Sequence, residues 1–416
     1  MKYFIKTYGC TFNKSDSDRI ILLAEGVHEL STEAKAQVIV LNSCSVKDAT
    51  QQKILYEVRR IRKPLVVTGC LAQAMPELIE EANSKASVIG CFAHERMNEA
   101  ITTASEGKKL IDVSRKHSLP LVVKVDGLVA RIPINLGCTS ACSYCSTKLA
   151  RGNLRSFPPK DVINCIQESV AKGAKEIQLC SQDTGCYGLD LGCDLTDLLE
   201  RISEIKGDFM VRVGMLNPEH FLRLEKRLLK AFSSEKVFKF LHLPLQSGSN
   251  TVLKHMRRNY SRAEFKKAFY SFRKVFPDSV ISTDVIVGYP TETEKDFQET
   301  LSLLKELRFD VVNVSKYSAR PNTIAASLPQ LPNNIIKKRS ENCSALCRKI
   351  SLEQRNRFVG RRFKVLLFGN GKNKGQKRGR SSFYASFVVS TPVALGEWVE
   401  VKALKASASC LLSKTI

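Results

Sequence analysis

The sequence predicts a mixed α/β protein in three parts: an N-terminal parallel α/β domain, a (β/α)6 partial barrel, and a small C-terminal β-barrel. Three observations predict this fold class. Short β-rich runs alternate with helical stretches up to about residue 110, the alternation restarts on a longer scale near residue 120, and the last 62 residues hold strand-like runs without a helical period. A length of 416 residues and a hydrophobic content of 43% leave room for several cores and argue against disorder.

The first part, residues 1–110, is predicted to be a parallel sheet covered by helices. Its β-rich runs are residues 2–8, 37–42 and 64–68, and the helical stretches between them are residues 15–26, 47–61 and 75–84. A polar stretch at residues 105–116 is expected to be a linker.

The second part, residues 120–350, repeats six β/α units. The predicted strands are residues 130–134, 176–179, 209–213, 237–243, 280–287 and 311–314, and helices are expected at 159–174, 262–275 and 292–307. Consecutive β/α units form a parallel barrel, whose functional groups lie where the strands end and the next loops begin.

The third part, residues 355–416, is predicted to be an all-β module with strands at 362–368, 383–389 and 398–402. It carries 13 basic and two acidic residues, a net charge of +11 out of +24 for the whole chain. A basic protein most often meets a polyanion, and nucleic acid is the first candidate. A generally basic composition is the alternative.

The cysteines need a separate explanation. No apolar run approaches the ~18 residues of a membrane span, and the N-terminus is too polar for the core of a signal peptide, so a cytoplasmic protein without a membrane partner is expected. Thiols stay reduced in that compartment. The 14 cysteines are therefore metal ligands or small buried hydrophobes, and their spacing must decide.

The densest signal is the loop after the first barrel strand, residues 135–145, which contains Cys138, Cys142 and Cys145. The Cys-x3-Cys-x2-Cys spacing places three thiolates on one side of a short turn and suits three corners of a cubane iron–sulfur cluster. The fourth iron would then stay open for another ligand. Structural zinc normally requires four ligands, and no fourth Cys or His lies nearby. Zinc and unrelated buried cysteines remain the alternatives.

Three further cysteines, Cys10, Cys44 and Cys70, each follow a predicted strand and precede a predicted helix. The carboxyl ends of parallel strands lie along one edge of a sheet, so these thiols can meet in space. Helix N-termini would favour their thiolate forms. A shared metal site is one interpretation, and three separate buried thiols are the other.

The cluster loop resembles that of the radical S-adenosylmethionine (SAM) superfamily, and the N-terminal cysteines and domain order resemble the methylthiotransferase family along essentially the whole chain. The resemblance implies two [4Fe-4S] clusters, one on each set of three cysteines. It also implies that SAM binds the open iron of the loop cluster and is cleaved to a 5′-deoxyadenosyl radical. The third part resembles the family's RNA-binding TRAM domain.

The resemblance also implies SAM contacts after several barrel strands. Tyr144 matches an aromatic position near the cluster and adenine. Each of the other positions has a competing structural interpretation, such as a turn cap at Asp183, the N-cap of the next helix at Ser249 or Asn250, or a structural ion pair at Arg212. The implied contacts after Tyr144 are Gln182 and Asp183 with the methionyl end, Arg212 with a carboxylate, Gln246 and Ser247 with the ribose, and Ile286 and Gly288 with the adenine.

The continuation of the cluster loop, residues 145–152, resembles the family branch that acts on N6-threonylcarbamoyladenosine-37 of tRNA in archaea and eukaryotes. Ser146 and Leu149 depart from that branch's usual Lys and His. The resemblance implies addition of a methylthio group at C2 of that adenosine. The expected partners are the tRNA anticodon loop, a sulfur donor and an electron donor of flavodoxin or ferredoxin type, and the protein is expected to be a monomer.

Charge supports an RNA substrate, because a +11 module neutralises phosphates. Its aromatic residues Phe383, Tyr384 and Trp398 are expected to stack on unpaired bases. Three alternatives stay open: a methylthiotransferase on N6-isopentenyladenosine-37, a radical SAM enzyme that modifies RNA without sulfur, and a non-catalytic RNA-binding protein. Packing or surface roles are expected for the remaining cysteines that we considered, Cys180, Cys186, Cys193, Cys343 and Cys347.

Overall fold

The computed structural model describes residues 1–117 and 120–416. Its N-terminal part is a parallel six-stranded sheet with strand order β2-β1-β3-β4-β5-β6. Every residue of β3 and β4 is buried, as expected for a sheet with helices on both faces. The elements are β1 Lys2–Thr7, α1 Thr11–Ala24, β2 Glu29–Leu30, β3 Val38–Ser43, α2 Asp48–Arg60, β4 Leu65–Gly69, α3 Cys70–Ala74, α4 Pro76–Ala82, β5 Ser87–Ile89, a 3₁₀ turn His94–Arg96, α5 Met97–Ser105 and β6 Ile111–Asp112.

The predicted linker at residues 105–116 is partly wrong. Ile111 and Asp112 form β6, which pairs with β5 and completes the sheet. β5 and β6 are short and end near polar residues. The sequence there shows too little alternation of apolar and polar residues to predict a strand.

The middle part is a (β/α)6 partial barrel, as predicted. Six parallel strands follow one another in the order β8-β11-β12-β13-β14-β15, with β12 and β13 joined only by isolated bridges. Capping boxes start α8, α11 and α12, which explains the sharp helix onsets. The elements are β7 Val125–Asp126, β8 Val129–Pro133, β9 Asn135–Leu136, α6 Ser146–Arg151, β10 Arg155–Ser156, α7 Pro159–Ala171, β11 Glu176–Cys180, a 3₁₀ turn Thr184–Cys186, α8 Leu195–Glu204, β12 Met210–Arg212, α9 Pro218–Phe232, β13 Phe240–His242, α10 Asn250–His255, α11 Arg262–Val275, β14 Val280–Val287, α12 Glu294–Leu307, β15 Val311–Lys316, a 3₁₀ turn Ile324–Ser327 and α13 Asn333–Asn356.

The C-terminal part is a closed five-stranded barrel with strand order β16-β17-β18-β20-β19. Its strands are β16 Arg362–Asn370, β17 Gln376–Ser381, β18 Ser386–Ser390, β19 Trp398–Ala406 and β20 Leu411–Thr415. The sequence analysis missed β17 and β20. β17 is almost entirely polar and basic, so its pairing between β16 and β18, rather than its composition, makes it a strand.

The two smaller domains contact opposite ends of the partial barrel. The C-terminal module packs on the starts of the barrel strands, where Lys239 N donates to Ser382 O and Glu176 pairs with Arg380. The N-terminal domain packs beside the carboxyl ends, where Arg151 of α6 contacts Asp16 of α1. In the described part of the chain, no helix combines the length and apolarity needed to cross a membrane.

Candidate cluster sites and the adjoining cavity

The loop between β9 and α6 carries the first set of three cysteines. It turns at Gly137, whose φ is +64°, and a Cβ there would lie 2.1 Å from the Asn153 carbonyl oxygen, so only glycine fits. The Gly137 amide donates to Gln182 Oε1 at 2.7 Å. Lys148 Nζ donates to the Cys138 carbonyl at 2.6 Å, which ties the loop to the first turn of α6. The backbone of the loop is therefore held from both sides.

The three thiols of this loop interact electrostatically. Burial and then the charge of Cys145 raise the pKa of Cys138 to about 12, and burial and then the charge of Cys142 raise that of Cys145. Arg258 Nη1 donates to Cys142 Sγ at 3.2 Å. Cys138 and Cys145 therefore resist ionisation in the absence of a metal, and a bound cation would replace their protons.

The second set of cysteines lies at one edge of the N-terminal sheet, where β1, β3 and β4 end. Gly9 has a φ of +103°, and a Cβ there would stand 2.9 Å from Cys44 Cβ, so the chain beside Cys10 approaches Cys44 only because residue 9 is glycine. Burial and then the charge of Cys70 raise the pKa of Cys44 to about 11 and also raise that of Cys10. The structure therefore brings together three thiols that are distant in sequence.

Two polar side chains at this second site were missed by the sequence analysis. Asn13 Nδ2 donates to the carbonyls of Tyr8 and Ser43 at 2.9 and 2.8 Å, which turns its Oδ1 towards Cys70 Sγ at 3.6 Å. Arg151 Nε lies 3.4 Å from the same sulfur, and Arg151 Nη2 donates to Asp16 Oδ2 at 2.5 Å. The contacts of Asn13 and Arg151 with Cys70 depend on tertiary structure that the sequence does not show.

Cys91 is a further thiol at the second site. It follows β5 and is buried with Cys70, Phe12 and Cys180 in one apolar cluster. The hydrogen bond with Cys91 has the largest effect on the pKa of Cys70 and lowers it. Burial raises this pKa and the nearby Arg151 lowers it further, so that the pKa falls to about 6. The repeated Gly-Cys pairs at residues 9–10, 69–70 and 90–91 were the available sequence signal for Cys91.

Among residues 1–117 and 120–416, no group of three or more Cys, His, Asp or Glu is arranged to hold a metal ion. The assignment of the two thiol sets to iron–sulfur clusters therefore stays a prediction.

A cavity of about 380 Å³ adjoins the cluster loop. Asp284, on its wall, accepts hydrogen bonds from His242 Nε2 at 2.7 Å and Asn313 Nδ2 at 2.9 Å. Tyr144, Gln246 and Ile286, all expected to contact SAM, line it. The complete lining is Val46, Lys47, Tyr144, Cys145, Ser146, Thr147, Gln246, Asp284, Val285, Ile286, Asn313, Ser315, Lys316, Tyr317, Ser318 and Arg320.

Two expected SAM contacts instead support the protein. The Gln182 side chain holds the Gly137 amide. Asp183 is buried, caps the 3₁₀ turn through the Gly185 amide, and accepts from Asn217 Nδ2 at 2.7 Å. For Asp183 the structure favours the turn-cap interpretation.

Three other expected contacts do not line the cavity. Ser247 is fully buried, with its hydroxyl 3.4 Å from that of Thr300. Gly288 packs on Ile336, where a Cβ would come within 2.7 Å. The Arg212 guanidinium lies 5.1 Å from the centre of the Phe240 ring.

Tyr384 of the C-terminal module does not have the position expected of a residue that stacks on an unpaired base. Tyr384 does not face solvent, because its ring lies 4.6 Å from that of Phe240 and its hydroxyl donates to Glu176 Oε1 at 3.1 Å. It anchors the module to the partial barrel and is not free to stack on a base. Trp398 remains half-buried, with Lys364 Nζ 5.8 Å from its ring centre.

Three of the other cysteines make contacts within the protein. Cys186 donates to the Asp183 carbonyl at 3.1 Å, and the sulfurs of Cys343 and Cys347 lie 4.0 Å apart within α13. Cys180 differs, because it borders the N-terminal thiols through the shared apolar cluster.

Comparison with known proteins first defines the class. Residues 132–304 match the radical SAM superfamily, and residues 2–90 match the uncharacterized protein family UPF0004. A solved radical S-adenosylmethionine methyltransferase, TsrM from Kitasatospora setae, shares the fold, with a TM-score of 0.57 and 13% identity over 78% of this chain and 77% of that one. The protein is thus a radical SAM protein with an additional N-terminal α/β domain.

The relatives define the family. An Archaeoglobus fulgidus protein named "Probable threonylcarbamoyladenosine tRNA methylthiotransferase" is 42% identical over 97% of this chain and 96% of its own. A Pyrococcus horikoshii protein of the same name is 38% identical over the full length of both. A Drosophila pseudoobscura threonylcarbamoyladenosine tRNA methylthiotransferase is 37% identical over 88% of this chain and 68% of its own. The chain belongs to the threonylcarbamoyladenosine tRNA methylthiotransferase family.

Proposed function

We propose that this protein transfers a methylthio group to C2 of N6-threonylcarbamoyladenosine-37 in tRNA. The observation that carries the proposal is a cavity lined both by a thiol of the cluster loop and by residues that directly follow a thiol of the N-terminal set. Cys145 lines the cavity directly, and Val46 and Lys47, which follow Cys44 in the chain, line it from the N-terminal domain. The names of the relatives support the substrate.

Each set of residues has a distinct role in this proposal. Cys138, Cys142 and Cys145 would hold one [4Fe-4S] cluster, with SAM in the cavity against Tyr144 and Ile286. Cys10, Cys44 and Cys70 would hold a second [4Fe-4S] cluster and the sulfur to be transferred. The two clusters and SAM together supply the radical and methylthio chemistry, while the protein positions the adenosine and excludes water.

The C-terminal barrel supplies RNA affinity in this proposal. Arg357, Arg361 and Arg380 are engaged by acids of the partial barrel. Six lysines of the module, by contrast, are exposed and form no ion pair within the described residues, so they are available for phosphates; they are Lys364, Lys372, Lys374, Lys402, Lys405 and Lys414. Lys377 instead donates to the carbonyls of Pro392 and Val393. A sulfur donor, an electron donor of flavodoxin or ferredoxin type, and a monomeric cytoplasmic protein complete the proposal.

The test is nucleoside analysis by mass spectrometry. Anaerobically reconstituted protein with SAM and a reductant should convert tRNA carrying threonylcarbamoyladenosine to the 2-methylthio form. Conversion of isopentenyladenosine instead would favour that alternative branch. Formation of 5′-deoxyadenosine with an RNA product that lacks sulfur would overturn methylthio transfer.

A further inference from the structure

The lining of the cavity is rich in positive charge. Three of its lining residues are basic, Lys47, Lys316 and Arg320, whereas Asp284 is the one Asp or Glu among the residues that line it. Lys47 belongs to the N-terminal domain, just before α2, and Lys316 ends β15 of the partial barrel. The positive charge therefore comes from both domains that enclose the cavity.

Two of these four charged groups are already engaged. Arg320 is buried and donates to Gln51 Oε1 at 2.6 Å and to the Val46 carbonyl at 3.1 Å, which fixes it as a structural link between the domains. Asp284 is held by His242 and Asn313. Neither group is free to bind a ligand strongly without losing these contacts.

Lys47 and Lys316 differ from Arg320. Both side chains are exposed, and neither ammonium forms a hydrogen bond or an ion pair with any residue that the structure describes. An exposed lysine alone is ordinary, but two ammonium groups in the lining of one cavity create a local positive potential, which the charge of Asp284 near Lys47 offsets in part. Such a pair favours an anionic ligand group.

SAM does not account for this charge. Its sulfonium is positive, and its carboxylate is expected at the open iron beside the cluster loop. Placing two ammonium groups near a sulfonium is unfavourable unless an anion lies between them. The other proposed ligand, the threonylcarbamoyl group, ends in a carboxylate, whereas an isopentenyl group carries no charge.

We propose that Lys47 and Lys316 bind the carboxylate of the threonylcarbamoyl group and so select this adenosine over uncharged N6-substituted ones. The inference rests on the proposed function and deepens it. Charge-assisted hydrogen bonds from two ammonium groups orient the base in the cavity with C2 towards the reacting sulfur. A neutral substituent would leave both ammonium groups unpaired beside a desolvated surface.

The experiment compares three anticodon stem-loop RNAs that carry threonylcarbamoyladenosine, its carboxamide analogue, or isopentenyladenosine at position 37. Lys47→Gln with Lys316→Gln should raise KM for the first RNA about 10- to 100-fold, the range expected for lost hydrogen bonds to a charged group. The variant and wild type should have similar KM values for the carboxamide analogue. Lys316→Arg, which keeps a cation, should retain most of the affinity.

The controls separate the possible failures. Lys172→Gln removes an exposed lysine at the end of α7, outside the cavity lining, and should behave as wild type. Iron content and RNA-independent cleavage of SAM report that each variant is folded and loaded. An equal loss on all three RNAs would assign the lysines to phosphates and overturn the inference, as would no loss on any. Failure of wild type itself to modify the first RNA would contradict the proposed function instead.

Discussion

The two sets of three cysteines are brought together in different ways. Cys138, Cys142 and Cys145 come from one loop of eight residues, whereas Cys10, Cys44 and Cys70 come from the ends of three strands. Each set has one arginine near a sulfur: Arg258 for Cys142 at 3.2 Å and Arg151 for Cys70 at 3.4 Å. The difference shows that a local motif and a sheet edge can each bring three thiols together.

The two arginines also differ in whether they belong to the same domain as the thiol that they contact. Arg258 belongs to the same partial barrel as the loop that it contacts. Arg151 also belongs to the barrel, six residues after Cys145, yet it contacts a thiol of the N-terminal domain. The loop site is therefore complete within its domain, and the N-terminal site is completed by a neighbouring domain.

The largest expected effect comes from removing the loop ligands. Protein with two four-iron clusters holds about eight irons, and Cys138, Cys142 and Cys145 changed together to Ala should leave about four. SAM cleavage should then be abolished, because no open iron remains beside the cavity. Iron analysis and 5′-deoxyadenosine measurement check this result, and retention of all the iron would contradict the ligand assignment.

Removing the N-terminal ligands should separate the two reactions. With Cys10, Cys44 and Cys70 changed to Ala, the loop site is complete without them, so SAM cleavage should persist while methylthio transfer is lost. Cys343→Ala with Cys347→Ala is a matched control, since these thiols lie within α13. Equal loss of both reactions would make the N-terminal site structural.

The two arginines should differ in their effect on stability. Arg151 forms an ion pair with Asp16, and both side chains are essentially inaccessible to solvent. Arg151→Gln should lower the free energy of unfolding by about 1.5–3 kcal/mol, because it removes a charge-assisted hydrogen bond and leaves Arg19 as the remaining buried partner of the Asp16 carboxylate. Arg258→Gln should cost less, since Arg258 pairs with no carboxylate in the described residues. Denaturant unfolding of the two variants measures both effects.

The smallest effect concerns pH. Burial lowers the pKa of His94, which lies beside Asp16 in the N-terminal domain, to about 3. A folded-state pKa below the unfolded value of about 6.5 means that stability is complete above pH 6.5 and falls as the pH drops towards 3. At pH 5 the loss should be about 2 kcal/mol. His94→Gln should reduce this pH dependence, while His255→Gln, at an exposed position, should not.

The strands and cysteines of the partial barrel were accessible from sequence because their signals are local. The predicted bounds of β14 and α11 agree with the structure, since apolar strand residues and a Ser261 capping box mark them. The six cysteines follow from spacing and from the strand-then-helix context. Asn13, Arg151 and Arg258 were not accessible, because each acts on a residue that another element supplies.

The expected SAM contacts show the same limit. Tyr144, Gln246 and Ile286 line the cavity. Ser247, one residue after Gln246, is buried against Thr300, and Gly288, two residues after Ile286, packs on Ile336. A motif therefore identifies the segment beside a ligand more securely than the side chain that contacts it.

The position of the C-terminal barrel limits how RNA can lie on the protein. This module contacts the starts of the barrel strands, where Val280 of β14 donates to the Phe383 carbonyl, and Ile286, six residues further along β14, lines the cavity. At about 3.3 Å per residue that separation is about 20 Å. An RNA that contacts both the module and the cavity must extend along the outside of the barrel for that distance. The distance would then determine which base reaches the cavity when the module binds the RNA backbone.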